Sequence, residues 1–85
     1  MRQPTVIERR LKQSKRLQIF GKYLDGVVLI DPRQDEYQRL DTLLHELFHH
    51  VEEHYGVSFG EQRAETVAAM LTETLWAQGY RRGEK

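Results

Sequence analysis

The sequence predicts a small α+β domain: an antiparallel β-hairpin or three-stranded sheet packed on one long helix, followed by a second helix. Three observations carry this. The chain has 85 residues, enough for one domain (1–85) with a modest core. Two short β-prone runs flank Asp25-Gly26, a dipeptide whose residues tolerate positive φ and so mark a hairpin. After Pro32 the apolar spacing changes from two to three and four, the period of helices, with Gly56 and Gly79 as punctuation.

Each element follows in order. Residues 1–4 read as a frayed end closed by Pro4. Thr5 to Leu11 admits a strand, which is preferred, or a helix opened by Thr5 and Glu8 at capping-box spacing. Gln13-Ser14-Lys15 reads as a turn. Leu17 to Tyr23 alternates in the manner of a half-buried strand, and Val27-Val28-Leu29-Ile30 is the β-branched return. Asp31-Pro32 ends it, because proline has no N–H for the ladder. The expected product is a hairpin of 17–23 with 27–31, extended by 5–11.

The first helix is expected from Gln34 or Asp35 to His54 or Tyr55. Asp35 and Glu36 complement its positive end, and Gly56 stops it. Tyr37, Leu40, Leu44, Leu47 and Val51 form an apolar stripe that would rest on the hairpin. The second helix is expected to begin at 59, with Ser58 and Glu61 as a capping box. Its packing face would be Ala64, Val67, Ala68, Leu71 and Leu75, and Tyr80 with Trp76 would tie down a polar tail.

Composition narrows the function classes. With no cysteine, disulfides and thiolate metal sites are excluded, so any metal must use His and Asp/Glu, which suits a catalytic site better than a structural one. No apolar run approaches the ~18 residues of a membrane span. Met1-Arg2-Gln3-Pro4 lacks a signal-peptide core, so the expectation is a cytoplasmic protein with no membrane partner. Thirteen basic and thirteen acidic residues balance, leaving no global attraction to nucleic acid. The run Arg9, Arg10, Lys12, Lys15, Arg16 is read as solvated surface rather than as a nucleic-acid contact.

The chemistry concentrates in Leu43-Leu44-His45-Glu46-Leu47-Phe48-His49-His50, which contains His-Glu-x-x-His. Residues four apart share a helix face, so His45 and His49 can bind one metal, and Glu46 can take a proton from a metal-bound water. By helix geometry the pair lies roughly 120–160° from the centre of the apolar stripe. A third ligand is expected from the second helix. Glu65, beside small Ala64 and one turn before Ala68 and Ala69, is preferred. Glu61 is the competitor, but the cap would occupy it, and Glu73 is expected to face solvent. An overlapping inverted motif, His50-Val51-Glu52-Glu53-His54, is set aside because its histidines fall at the edge of the apolar stripe and in the last turns.

With His45-Glu46-x-x-His49, a preceding hairpin and Glu65 on the next helix, the chain resembles the minimal gluzincin-like metallopeptidases, short bacterial and phage zincins related to the ImmA/IrrE type. Ile30-Asp31-Pro32-Arg33, Leu40 to Glu46, and Leu75-Trp76-x-x-Gly79-Tyr80-Arg81-Arg82 contribute to the likeness, which covers most of the chain. The resemblance implies Zn2+ bound by His45, His49 and Glu65, with Glu46 as acid/base in peptide-bond hydrolysis. It also implies a peptide or protein substrate extended along the sheet edge. The larger relatives' additional helices are missing. No residue matches their separate oxyanion-stabilising Tyr or His, for which Tyr55, His54 and Tyr80 are candidates by type. The alternative function is a catalytically silent metal-binding module that acts through a protein partner.

Overall fold

The computed structural model describes residues 3–13 and 19–82. Three strands, β1 (Thr5–Glu8), β2 (Gly21–Leu24) and β3 (Val27–Ile30), precede two helices, α1 (Glu36–Tyr55) and α2 (Glu61–Ala77). The fold is a small α+β arrangement of a mixed sheet and two helices, as expected in outline. Leu17, the expected start of the second strand, lies outside the described residues, as do Ser14, Lys15 and Arg16.

The hairpin forms where Asp25-Gly26 marks it. Both residues take positive φ, 49° and 79°, so the turn's twist matches that of its strands. Tyr23 pairs with Val28 and Gly21 with Ile30 in antiparallel register. The expected extension by the first strand is present with a different sense: β1 pairs with β3 in parallel, giving the order β1-β3-β2. β3 is therefore central, and among the described residues β2 has no strand on its outer edge.

Asp31, only 1% exposed, ties the strand ends together. Its carboxylate accepts from Leu11 N–H, from Arg33 N–H and from the Arg33 guanidinium. The guanidinium hydrogen bonds beside it, with the Leu11 N–H, hold the Asp31 carboxyl well below the usual carboxylate range. Gln34 continues the knot by donating to the Phe20 and Asp31 carbonyls and accepting from the Thr42 hydroxyl.

Helix α1 starts and ends on the predicted signals. Asp35 caps it, accepting from Gln38 N–H at 2.8 Å, and Gly56 closes it in the left-handed region. Its packing differs from the expectation. The line facing the sheet is polar: Thr42 and Glu46 lie against Gly21, His50 meets Tyr23, and Arg39 pairs with Glu8. The opposite side of the helix meets α2 and the turn before it, through Tyr37 on Trp76 and Phe48 on Phe59. The apolar stripe from Leu40 to Val51 stays half-buried, because sheet and second helix flank it rather than cover it. Among the described residues, the fully buried apolar side chains are Val28 and Ile30 of β3 and Ala64 and Ala68 of α2. Ala64, Ala68 and Thr72 recur every four residues, and their small size permits α2 to approach closely. Leu71, expected in that face, is exposed.

The tail folds back. The Arg81 guanidinium sits 3.4 Å from the centre of the Trp76 ring, and Arg82 reaches Glu8 and Glu36. Among the described residues no helix is long and apolar enough to cross a membrane.

Candidate metal centre

On α1, His45 and His49 stand one turn apart with ring centroids separated by 5.0 Å. Both direct Nε2 at the Glu61 carboxylate, the His45 nitrogen 2.8 Å from one oxygen and the His49 nitrogen 3.1 Å from the other. The three donor atoms lie within 4.8 Å of one another, close enough to bind one metal ion. Two imidazoles and a carboxylate from two elements make a three-ligand donor set that leaves a coordination position free.

The carboxylate in this cluster is that of Glu61, not the preferred Glu65. The reason is the start of α2. The capping box expected from Ser58 does not form. The N-cap is Gly60, at φ 82° with no side-chain cap, and Glu61 is the first helical residue. Freed from capping, the Glu61 side chain, 63% exposed, reaches across to α1. Glu65 lies one turn further on, lining a neighbouring cavity of about 500 Å³ with Asp41, Thr42, His45, Glu46, Ile19, Phe20 and Gly21.

Glu46 is buried beneath this cluster, against Gly21. A Cβ at position 21 would stand 2.3 Å from Thr42 Cγ2 and 3.2 Å from Glu46 Cγ, so glycine lets β2 close over the carboxylate. Burial raises the Glu46 carboxyl above its ordinary range, and the charges of His45 and His49 partly offset this. Burial likewise raises Asp41, with His45 opposing. A cleft of about 630 Å³ opens beside the cluster, walled by Gly21, Lys22 and Tyr23 of β2, by His45, Glu46, His49, Glu52 and Glu53 of α1, and by Glu61.

Glu52 was not singled out from the sequence. One oxygen lies 3.0 Å from His49 Nδ1, and the other accepts from Phe59 N–H at 2.6 Å and Gly60 N–H at 3.2 Å. The Phe59 N–H and then the His49 bond lower the Glu52 carboxyl. Burial alone would lower His49, but the bond to Glu52 and the charges of Glu61, Glu46 and Glu52 outweigh it, so His49 is raised. The signal available in the sequence was spacing: Glu52 is three residues beyond His49 and so shares its side of the helix.

The oxyanion candidates stand elsewhere. Tyr80 lies beside Trp76 near the far end of α1, His54 lies tilted against His50, and Tyr55 is exposed. The phenol at the cleft is that of Tyr23, whose hydroxyl donates to Glu53, accepts from Gly26 N–H and contacts His50 Nδ1 at 3.1 Å. Comparison with known protein families, with curated proteins and with solved structures found no match.

Proposed function

We propose that this protein is a zinc-dependent peptidase of minimal zincin type. The observation that carries the reading is the Glu61 carboxylate spanning the Nε2 atoms of His45 and His49 from a second helix, with Glu46 buried beside them. His45, His49 and Glu61 would hold Zn2+. The donor set fits that ion, since all three ligands are nitrogen or oxygen and thiolates are absent. Bound there, Zn2+ supplies a Lewis acid that polarises a scissile carbonyl and acidifies water.

The chain's own residues do the rest. Glu46 takes the proton of the attacking water and delivers it to the leaving amine. The outer edge of β2, which walls the cleft, offers N–H and C=O groups to an extended substrate strand, so main-chain hydrogen bonds set its register. Asp41 and Glu65 in one cavity and Glu52, Glu53 and Glu61 in the other surround the cluster with acidic groups, while among the described residues Lys22 is the Lys or Arg lining them. Lys- and Arg-containing peptides are therefore the first substrates to offer.

The test is elemental analysis paired with cleavage of a mixed peptide pool. About one zinc per chain is expected in the wild type, lost in His45→Ala and Glu61→Ala, and kept in Glu46→Gln and Glu65→Ala. Glu46→Gln should lose roughly 10²–10⁴-fold in hydrolysis. Undiminished hydrolysis by Glu46→Gln would sink the role given to Glu46, and zinc lost from Glu65→Ala but kept in Glu61→Ala would return the third ligand to Glu65.

A second reading, a metal-binding module that cleaves nothing, draws on one observation: Tyr55, His54 and Tyr80 lie away from the cleft, and the Tyr23 hydroxyl is already engaged. Zinc in the wild type without any cut peptide would favour it.

A further inference from the structure

We propose that Glu52 is the positioning residue of this centre: its carboxylate selects Nε2 of His49 as the metal-binding nitrogen and at the same time fixes the turn that delivers Glu61. The inference rests on the metal-binding reading above.

The argument is one of donors and acceptors. An ionised carboxylate only accepts, so at the 3.0 Å contact the hydrogen must sit on His49 Nδ1. A neutral imidazole with its proton on Nδ1 has its lone pair on Nε2, and Nε2 is the atom that faces Glu61. Hydrogen bonding at the second ring nitrogen is how proteins fix the orientation and basicity of a ligating histidine. The other Glu52 oxygen takes the Phe59 and Gly60 N–H groups, at the start of α2. Gly60 is the N-cap, and its N–H is one of the helix-start donors that have no partner within the helix, so Glu52 supplies from α1 the acceptor for it and for the Phe59 N–H before it. The next residue is Glu61. One carboxylate thus bonds a ligand on the first helix and the turn that carries the ligand of the second.

Glu52→Gln separates this role from simple packing, because the amide has nearly the same shape. If its oxygen keeps Phe59 and Gly60, its NH2 meets Nδ1, which must then accept, and the His49 proton moves to Nε2. If it turns over, two backbone donors face an NH2 and the turn loosens. The experiment is a Zn2+ titration against a competing chelator for wild type, Glu52→Gln and Glu52→Ala, with far-UV circular dichroism and long-range 1H–15N spectra of the histidine rings. Expected are a dissociation constant weaker by roughly 10–100-fold in both variants, retained helix content in Glu52→Gln, and a protonated Nδ1 on His49 of the zinc-loaded wild type. A Glu52→Gln constant within about twofold of wild type, or His49 metallated through Nδ1, would overturn the proposal.

Failure of the metal reading would look different, as no zinc uptake by the wild type. Glu52 is then judged on metal-free Glu61→Ala, at a pH where the imidazoles are neutral. There His49 should carry its proton on Nδ1, and adding Glu52→Gln should either move it to Nε2 or, where the amide turns over, leave it on Nδ1 and shift the Phe59 and Gly60 amide resonances. An unmoved proton together with unshifted Phe59 and Gly60 amides overturns the proposal on its own.

Discussion

Helix α1 carries two pairs of histidines with the same spacing, and they end in different chemistry. His45 and His49 turn toward α2 and share the Glu61 carboxylate. His50 and His54 turn toward the sheet, where their rings lie tilted against each other with centroids 4.3 Å apart. His50 there meets the Tyr23 phenol, and among the described residues its buried Nε2 has no hydrogen-bond partner. Both pairs satisfy the i,i+4 rule, and both lie in zinc-hydrolase patterns, one forward and one inverted. The difference lies in what each face meets. A metal site needs a third donor from another element. The second helix brings one to the first pair, and the strand brings the other pair a hydroxyl that is already bonded to Glu53 and Gly26.

The sharpest way to break this contrast is to remove one partner from each side. Glu61→Ala should abolish stoichiometric zinc binding, while His50→Ala should leave zinc content unchanged and lower the melting temperature by removing a buried ring. Equal zinc loss in the two variants would mean that the pairs are not independent. A smaller effect is expected at Gly21, where the sheet meets the Thr42 and Glu46 side of α1. Gly21→Ala puts a Cβ into Thr42 and against Glu46. Overpacking of this kind costs about 1–3 kcal/mol. Because the displaced neighbour is Glu46, the rate of hydrolysis should fall by more than zinc affinity does, which parallel kinetics and zinc titration would read.

Much of this architecture was legible because local chemistry fixes it. Asp25-Gly26 needs two positive φ values, and the hairpin turns there. Asp35 can cap and Gly56 can adopt the left-handed conformation, and the long helix runs between them. His45, Glu46 and His49 were legible for the same reason, since spacing on one helix is a local property. What failed was the relation between elements. The Ser58–Glu61 spacing reads as a capping box, but the Phe59 and Gly60 N–H groups of this turn go to Glu52, seven and eight residues earlier, on the preceding helix. That exchange releases Glu61 for the cluster and leaves Glu65 on the wall of the next cavity. The stripe of leucines misled similarly. It predicts the face that covers the sheet, yet the sheet lies on Thr42, Glu46 and His50, because Gly21 and Tyr23 of β2 offer room and a hydroxyl there. Parallel pairing of β1 depends on contacts across the sheet that no local signal announces.

The sheet side should also respond to acid in a way that the α2 side does not require. Asp31 is held charged by Arg33 and the Leu11 N–H, so its carboxyl titrates below its unfolded value of about 3.9. A depressed folded pKa contributes stability that is complete above the unfolded pKa and is lost as pH falls from there toward the folded value. Asp31→Asn should therefore lower stability at neutral pH and flatten the acid limb below about pH 4. Chemical denaturation from pH 7 down to the acid limit would check it, and an acid limb as steep as that of the wild type would assign the acid sensitivity to other carboxylates.

The finest probe of the contrast is Tyr23→Phe. The ring remains against His50 and the register with Val28 is untouched, so only the hydroxyl is removed. Gly26 N–H loses its acceptor, Glu53 loses a donor, and His50 Nδ1 joins Nε2 without a partner among the described residues. A net loss of about 0.5–1.5 kcal/mol per hydrogen bond is usual, and Glu53 is free to take water, so a total of about 1–2 kcal/mol is expected from denaturant unfolding. Zinc affinity should hold within about twofold, since His45, His49 and Glu61 make no bond to this phenol, whereas a loss anywhere near the 10–100-fold expected for Glu52→Gln would mean that the sheet, and not the α1–α2 turn, sets the ligand geometry.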